Sequence, residues 1–190
     1  MTDPAPAARQ RILQTASRLF YERGIRAVGV DTIVAEAAVA KTTLYQHFRT
    51  KDELIEAYLR ASDEELREWL ATVTGASDEP PEERLLAVFR QMGDWVARAG
   101  FRGCGFINAS AELADPDHPG FIVAAAHKDH VRDAFAALAR EAGIDGADRF
   151  AGELMLLLDG AFAGAALQRS AAPFETAERV AALLLRGRGV

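Results

Sequence analysis

A single cysteine, Cys104, stands in 190 residues, so no intrachain disulfide can form and the chain suits a reducing compartment. Long apolar runs are also missing. The longest, LMLLLDGAFAGAAL over 154–167, is interrupted by Asp159 and falls short of the roughly 20 apolar residues that span a bilayer. The opening MTDPAPAARQ carries acid and proline but no apolar core, so it does not read as a signal peptide. The expectation is a cytoplasmic protein with no membrane contact. No run alternates β-branched with polar residues, no Asn-Gly hairpin signal occurs and no long-period repeat is found, which excludes a β-rich or repeat fold. Hydrophobic content of 49% and charged content of 26% are ordinary for a globular chain.

One absence is local. The chain is acidic, with net charge -6 and pI about 5.3, yet no acid lies between Glu36 and Asp52. That gap holds Lys41, Arg49 and Lys51 among Thr42, Thr43, Tyr45 and His47. Residues 1–51 contain eight Lys/Arg against four Asp/Glu, about +4, which leaves about -10 for the remainder. A basic head on an acidic body implies that the head meets a polyanion.

What is present reads as helix throughout. A first helix over about 8–23 puts Ile12, Leu13, Ala16, Leu19 and Phe20 on one face. Gly24 ends it in a position that wants a left-handed residue. Asp31 or Thr32 can cap a short second helix, TIVAEAA, with Ile33, Val34 and Ala37 inward. After a tight turn, Ala38-Val39-Ala40, a third helix, KTTLYQHF, buries Leu44 and Phe48. Thr50 caps a long fourth helix, whose first turn carries Asp52 and Glu53, where the helix dipole favours acids. GASDEPPEE over 75–83 holds a loop and the start of a fifth helix, which carries Leu85, Val88, Phe89, Met92, Trp95 and Val96; the break FRGCG, a short helix FINASAEL, and helices over about 119–142, 146–169 and 174–186 follow. The fold class is all-α: a three-helix N-terminal domain with a helix-turn-helix (1–50) and a helical C-terminal domain (51–190), about nine helices in all.

Two short helices joined by a tight turn make a helix-turn-helix, whose second helix enters the DNA major groove. With Ile33, Val34, Ala37, Val39, Leu44 and Phe48 inward, Thr42, Thr43, Tyr45, Gln46 and His47 face out. Hydroxyl, amide and imidazole groups bond phosphates and base edges. A solvated face with a chance run of neutral and basic residues satisfies the same charge and spacing, because helix-turn-helix patterns are loose.

The stretch V-x-x-I-V-x-x-A-A-V-A-K-T-T-L-Y-Q-H-F-R-T-K-D-E-L closely resembles the signature of the TetR (tetracycline-repressor-like) family of transcriptional regulators, over residues 9 to about 58. The resemblance implies double-stranded operator DNA as partner. It implies phosphate contacts from Thr32, Tyr45 and Lys51, with Lys41, Thr42 and Thr43 where the third helix approaches bases and backbone. Gln46 and His47 take outward positions on that helix. The chain departs twice: Ala38 replaces the turn glycine, and Ala40 replaces a Ser/Thr that would cap the third helix.

The helix over about 146–169 is apolar on nearly every side, and an outer helix of a monomer cannot bury two faces. Paired with the helix over about 174–186, it would form a four-helix homodimer interface, as the resemblance also implies. Gly160 and Gly164 would permit close approach. The rest of the body is rich in aromatics. A small hydrophobic effector, implied mainly by the resemblance, would lie among Phe89, Met92, Trp95, Phe106, Asn108, His127, Leu158 and Phe162. A plain packed core fits the same residues. Cys104, beside Arg102, is a possible redox or electrophile sensor. His118, His127 and His130 with Asp115 and Asp117 are too loosely spaced for a metal site, and no cofactor is implied. No oriented base or phosphate loop supports an enzyme. The expected function is a dimeric repressor released from a near-palindromic operator by a hydrophobic ligand. The alternatives are control by a partner protein or by modification of Cys104, and activation in place of repression.

Overall fold

The computed structural model describes residues 4–75, 77–96 and 100–188. Among them lie nine α-helices and no strand: α1 Pro4–Arg23, α2 Val30–Glu36, α3 Lys41–His47, α4 Lys51–Thr74, α5 Pro81–Val96, α6 Gly105–Leu113, α7 Pro119–Glu141, α8 Ala147–Gln168 and α9 Ala172–Arg186. The chain divides into two compact units. One comprises Met1–Glu65 with Gly105–Ala126, the other Leu66–Cys104 with His127–Val190, so the division falls inside α4 and inside α7.

In the first unit, the core is Ile12, Ala16, Leu19 and Phe20 of α1, Ile33 of α2, Leu44 and Phe48 around α3, and Leu54, Ile55, Tyr58 and Leu59 of α4, all at most 5% exposed. Leu13 and Val34, expected inward, are half-buried. Gly24 closes α1 with φ +91, and its N–H donates to the Phe20 carbonyl at 3.0 Å. A Cβ there would also lie 2.9 Å from the Glu112 carboxylate, so the position needs glycine twice over.

The cap of α2 differs from expectation. Neither Asp31 nor Thr32 caps it; Gly29 does, in an extended conformation with no side-chain bond, and the helix begins at Val30. The Gly29 carbonyl accepts the Ile33 N–H at 3.3 Å, so Asp31 joins the first turn, where its charge still suits the dipole. The cap of α4 follows expectation: Thr50 Oγ1 accepts the Glu53 N–H at 3.0 Å. The Glu53 carboxylate reaches back to the Arg49 N–H at 2.7 Å, a close relative of the capping box.

The second unit is built on stacked aromatics. Phe89 and Phe135 lie 5.9 Å apart between centroids, Phe162 meets Phe174 edge-on at 5.1 Å, and Trp69 meets Trp95 at 5.0 Å. α9 packs on both α5 and α8. Gly93 lets Phe174 approach to 3.2 Å of where a Cβ would be, and Gly164 does the same for Pro173 at 3.1 Å. Arg84, 3% exposed, bonds the carbonyl of Thr74, the last residue of α4, and that of Gly75 just beyond it, at 2.9 Å each, and pairs with Glu141. A cation there satisfies helix-end carbonyls that burial would otherwise strand.

α8 spans 22 residues, longer than its uninterrupted apolar run, and is long and apolar enough by length and composition to cross a membrane. Phe150, Leu154, Leu158, Ala161, Phe162 and Ala165 on it are nevertheless buried, and Asp159 pairs with Lys128 of α7.

Candidate nucleic-acid interface

The interface candidate is the outer side of α3, and the turn before it sets its direction. Ala38 adopts φ +52, accepting the left-handed angle that a glycine would take freely. Around it the Val39 N–H donates to the Val34 carbonyl at 3.1 Å and the Ala38 N–H to the Ala35 carbonyl at 3.3 Å. These are the two bonds of a Schellman motif, with alanine in the glycine position. Ala40 then caps α3 without a side-chain bond. Leu44 and Phe48, at 0% and 1% exposure, pin the helix from beneath.

That anchoring leaves Lys41, Thr42, Tyr45 and Gln46 exposed, with Thr32, Thr43 and His47 half-buried. Tyr45 is 43% exposed, high for an aromatic ring on a small helix. No acid occurs in α3. All eight predicted contact residues lie in the first compact unit.

The two lysines are less free than their sequence positions imply. Lys41 Nζ pairs with Asp31 at 2.7 Å, and that hydrogen bond raises its pKa from the ordinary value. Lys51 turns inward: Nζ donates to the Ile25 carbonyl at 2.6 Å and lies 5.8 Å from the Phe20 ring centroid. Burial lowers its pKa. It therefore ties the start of α4 to the α1–α2 connection, a role that sequence reasoning missed because the partner is a backbone carbonyl 26 residues away. Arg18 and Arg23 are also engaged, both with Glu36 of α2. The Arg18 bond is the main cause of a lowered Glu36 pKa. Within the same unit, the Glu112 carboxylate of α6 accepts the Arg26 N–H at 2.8 Å.

The eight predicted pocket residues do not share one unit. Phe106 and Asn108 belong to the first, while Phe89, Met92, Trp95, His127, Leu158 and Phe162 belong to the second. Phe89, Met92, Phe106, His127, Leu158 and Phe162 are buried, and Trp95 and Asn108 half-buried. Cys104 is buried at 8% exposure, after Gly103 with φ +82. Among the described residues no group of three or more His, Cys, Asp or Glu is arranged to hold a metal ion. His118, weighed for such a role, bonds the Gly120 N–H through Nδ1 at 3.0 Å and lies 3.4 Å from Asp52 through Nε2.

Residues 12–58 match the family of bacterial regulatory proteins known as the tetR family. The whole chain is similar to SCO4454, a TetR-family transcriptional regulator from Streptomyces coelicolor. Their structures agree with a TM-score of 0.89 at 38% identity, over 96% of each chain. It is also similar to the HTH-type transcriptional regulator YjdC of Escherichia coli K12, 24% identical over 178 residues, 94% of this chain and 93% of that one. The reduced form of E. coli NemR shares the fold with a TM-score of 0.83, at 23% identity over 92% of this chain and 95% of that chain.

Proposed function

The chain belongs to the TetR family of transcriptional regulators, and from that premise we propose that it is a homodimeric repressor which leaves a near-palindromic operator when a small hydrophobic ligand binds. That it is a DNA-binding regulator follows from the family. The observation that carries the finer reading is the outer face of α3: hydroxyl, amide, phenol and imidazole tips without an acid, held by buried Leu44 and Phe48. Thr42, Thr43, Gln46 and His47 read base edges and nearby backbone, and Thr32, Lys41 and Tyr45 bond phosphates. Lys51, its amine engaged within the head, contributes through its field and through the placement of α4. The functional division is a DNA-reading head over 1–50 and an effector and dimerisation region over 51–190.

Regulators of this family bind small-molecule effectors and act as dimers. The dimer reading is supported by an apolar stripe on α8, where Leu156 is 77% and Leu167 87% exposed, with Leu183 of α9 at 59%. Gly160, with nothing within 4 Å of a Cβ, lies on the same stripe and admits a close partner helix. Two-fold symmetry then sets two recognition helices on two half-sites. The effector site lies in the second unit, near Phe89, Met92, Trp95, Leu158 and Phe162, with the buried His127 as its polar group. A ligand releases DNA by favouring a dimer whose heads no longer match the half-site spacing. The protein works in the cytoplasm.

The test is selection of bound sequences from random duplex DNA by the purified protein at a stated salt concentration. A near-palindromic consensus is expected, and hydrophobic and aromatic compounds are then screened for release of that duplex. No enrichment by folded, dimeric protein overturns the reading of a free-standing DNA reader and puts control by a partner protein in its place.

A further inference from the structure

The head's positive charge is not held where the sequence suggests. Of the eight Lys/Arg in residues 1–51, Arg18, Arg23 and Lys41 have carboxylate partners and Lys51 bonds a backbone carbonyl. Arg9, Arg11, Arg26 and Arg49 form no side-chain ion pair among the described residues. Two of these four adjoin one residue, Phe48. The Arg9 guanidinium of α1 lies 4.9 Å over the ring of Phe48, the C-cap of α3, and Arg49 is the next residue along the chain.

We propose that Arg9 and Arg49 form a phosphate-binding pair at the C-terminal edge of α3, gripping the DNA backbone beyond the bases that this helix reads. The proposal rests on the reading of α3 as the DNA-facing helix.

Three physical points carry it. Two neighbouring like charges repel each other until an anion lies between them. The Phe48 face beneath it restricts the Arg9 guanidinium while its side chain stays exposed, and a fork held in advance loses little entropy on meeting a phosphate. The Arg49 backbone is held as well, because its N–H donates to the Glu53 carboxylate at 2.7 Å. Asp52, the acid nearest Arg49 along the chain, lies 3.4 Å from His118 Nε2. The next, Glu53, spends one oxygen on that amide and sits in the first turn of α4, where the helix dipole offsets its charge. Phe48 is 1% exposed, so the platform under Arg9 is part of the core.

The test is the salt dependence of DNA affinity. Wild type, Arg9→Gln, Arg49→Gln, the double variant and Arg9→Lys are titrated on the selected duplex and on an arbitrary duplex, from about 50 to about 200 mM salt. Each single Gln variant is expected to lower the slope of log affinity against log salt by about 0.9, and the double variant by about 1.8. Over that salt range, wild type then loses about 3.5-fold more affinity than either single variant. The selected consensus stays unchanged, and Arg9→Lys keeps the slope.

Slopes equal to wild type in both single variants and the double variant overturn the pair. If Arg9→Gln fails to fold for want of its stack on Phe48, Arg49→Gln decides alone, because its side chain is exposed. A wild type that binds arbitrary duplex but selects no sequence removes the operator reading and leaves the slope test intact. A wild type that binds no duplex at all overturns both.

Discussion

α3 and α8 each leave one face uncovered, and the two faces differ in kind. The face of α3 carries Lys41, Thr42, Tyr45 and Gln46 in the open. The face of α8 carries Leu156, Gly160, Ala163 and Leu167. A polar tip in water costs nothing and waits for a polar partner. An exposed leucine stripe keeps apolar area in water at about 25 cal/mol per Å². Groups of that kind rimmed by polar residues mark a protein interface. The contrast fits the two partners proposed above, a polyanion for one surface and a second copy of the chain for the other.

The largest expected effect comes from making the apolar face resemble the polar one. In the proposed two-fold dimer, Leu156→Glu puts a carboxylate on the stripe twice. An unpaired charge buried at an interface costs about 2–5 kcal/mol, so the dimer dissociation constant should rise at least about 30-fold. Sedimentation equilibrium reads this directly. Circular dichroism at high protein dilution should change little, since Leu156 is 77% exposed in the single chain. A variant that stays dimeric at the wild-type dissociation constant would remove α8 from the interface.

The converse change, on the polar face, is Tyr45→Ala. A hydrogen bond to a charged group is worth about 1.5–3 kcal/mol, so affinity should fall about tenfold or more on every duplex alike. Phosphate contacts carry no sequence information, so the consensus should stay the same. A gel-shift titration on matched and mismatched sites separates the two outcomes. An unchanged affinity would move α3 off the backbone.

The two faces were not equally legible. The α3 face could be read residue by residue, because Leu44 and Phe48 four apart fix which way a short helix turns. Thr50 and Gly24 announced their helix ends through local chemistry, and both do as their types imply. Ala38 was legible as a departure from the turn glycine, and the chain takes the left-handed angle there at φ +52. What resisted reading was partnership at long range. Nothing near Lys51 along the chain announces that its amine bonds the Ile25 carbonyl, 26 residues away. Arg84 looks like a surface cation of α5, yet it is buried against two carbonyls and Glu141, 57 residues on. The start of α2 was misread because Asp31 and Thr32 are better caps by type than Gly29, while the backbone puts the extended residue at 29. The pocket residues were chosen from supply alone, and supply does not say which unit each residue joins.

A smaller effect sharpens the comparison from within the turn. Ala38→Gly removes the cost of a left-handed alanine, about 1–2 kcal/mol, against a loss of chain entropy of about 0.4–1 kcal/mol. The net gain should lie between about 0 and about 1.6 kcal/mol, which raises Tm by at most about 3–6 °C for a chain of this size. Thermal melts followed by circular dichroism check it. Glycine also frees the direction of α3, so stability should rise while DNA affinity stays level or falls. A stability loss would mean that the Ala38 methyl packs usefully despite its angle.

The smallest effect concerns pH. Glu36 joins α2 to Arg18 and Arg23 of α1, and its pKa is lowered from 4.5, first by the Arg18 hydrogen bond. A carboxylate whose folded pKa lies below its unfolded value binds more protons when unfolded. Its contribution to stability is therefore fully present above about pH 4.5 and is lost as pH falls through the folded pKa. Glu36→Gln should accordingly lower Tm slightly near neutrality, where solvent screening keeps exposed ion pairs weak. The difference between variant and wild type should shrink below about pH 4.5 and vanish once Glu36 is protonated in both states. Added salt should shrink it as well. A difference that stayed constant from neutral to acid pH would trace the effect to packing of the side chain and not to its charge. The α1–α2 contact would then depend on shape alone, as the aromatic contacts of the second unit do.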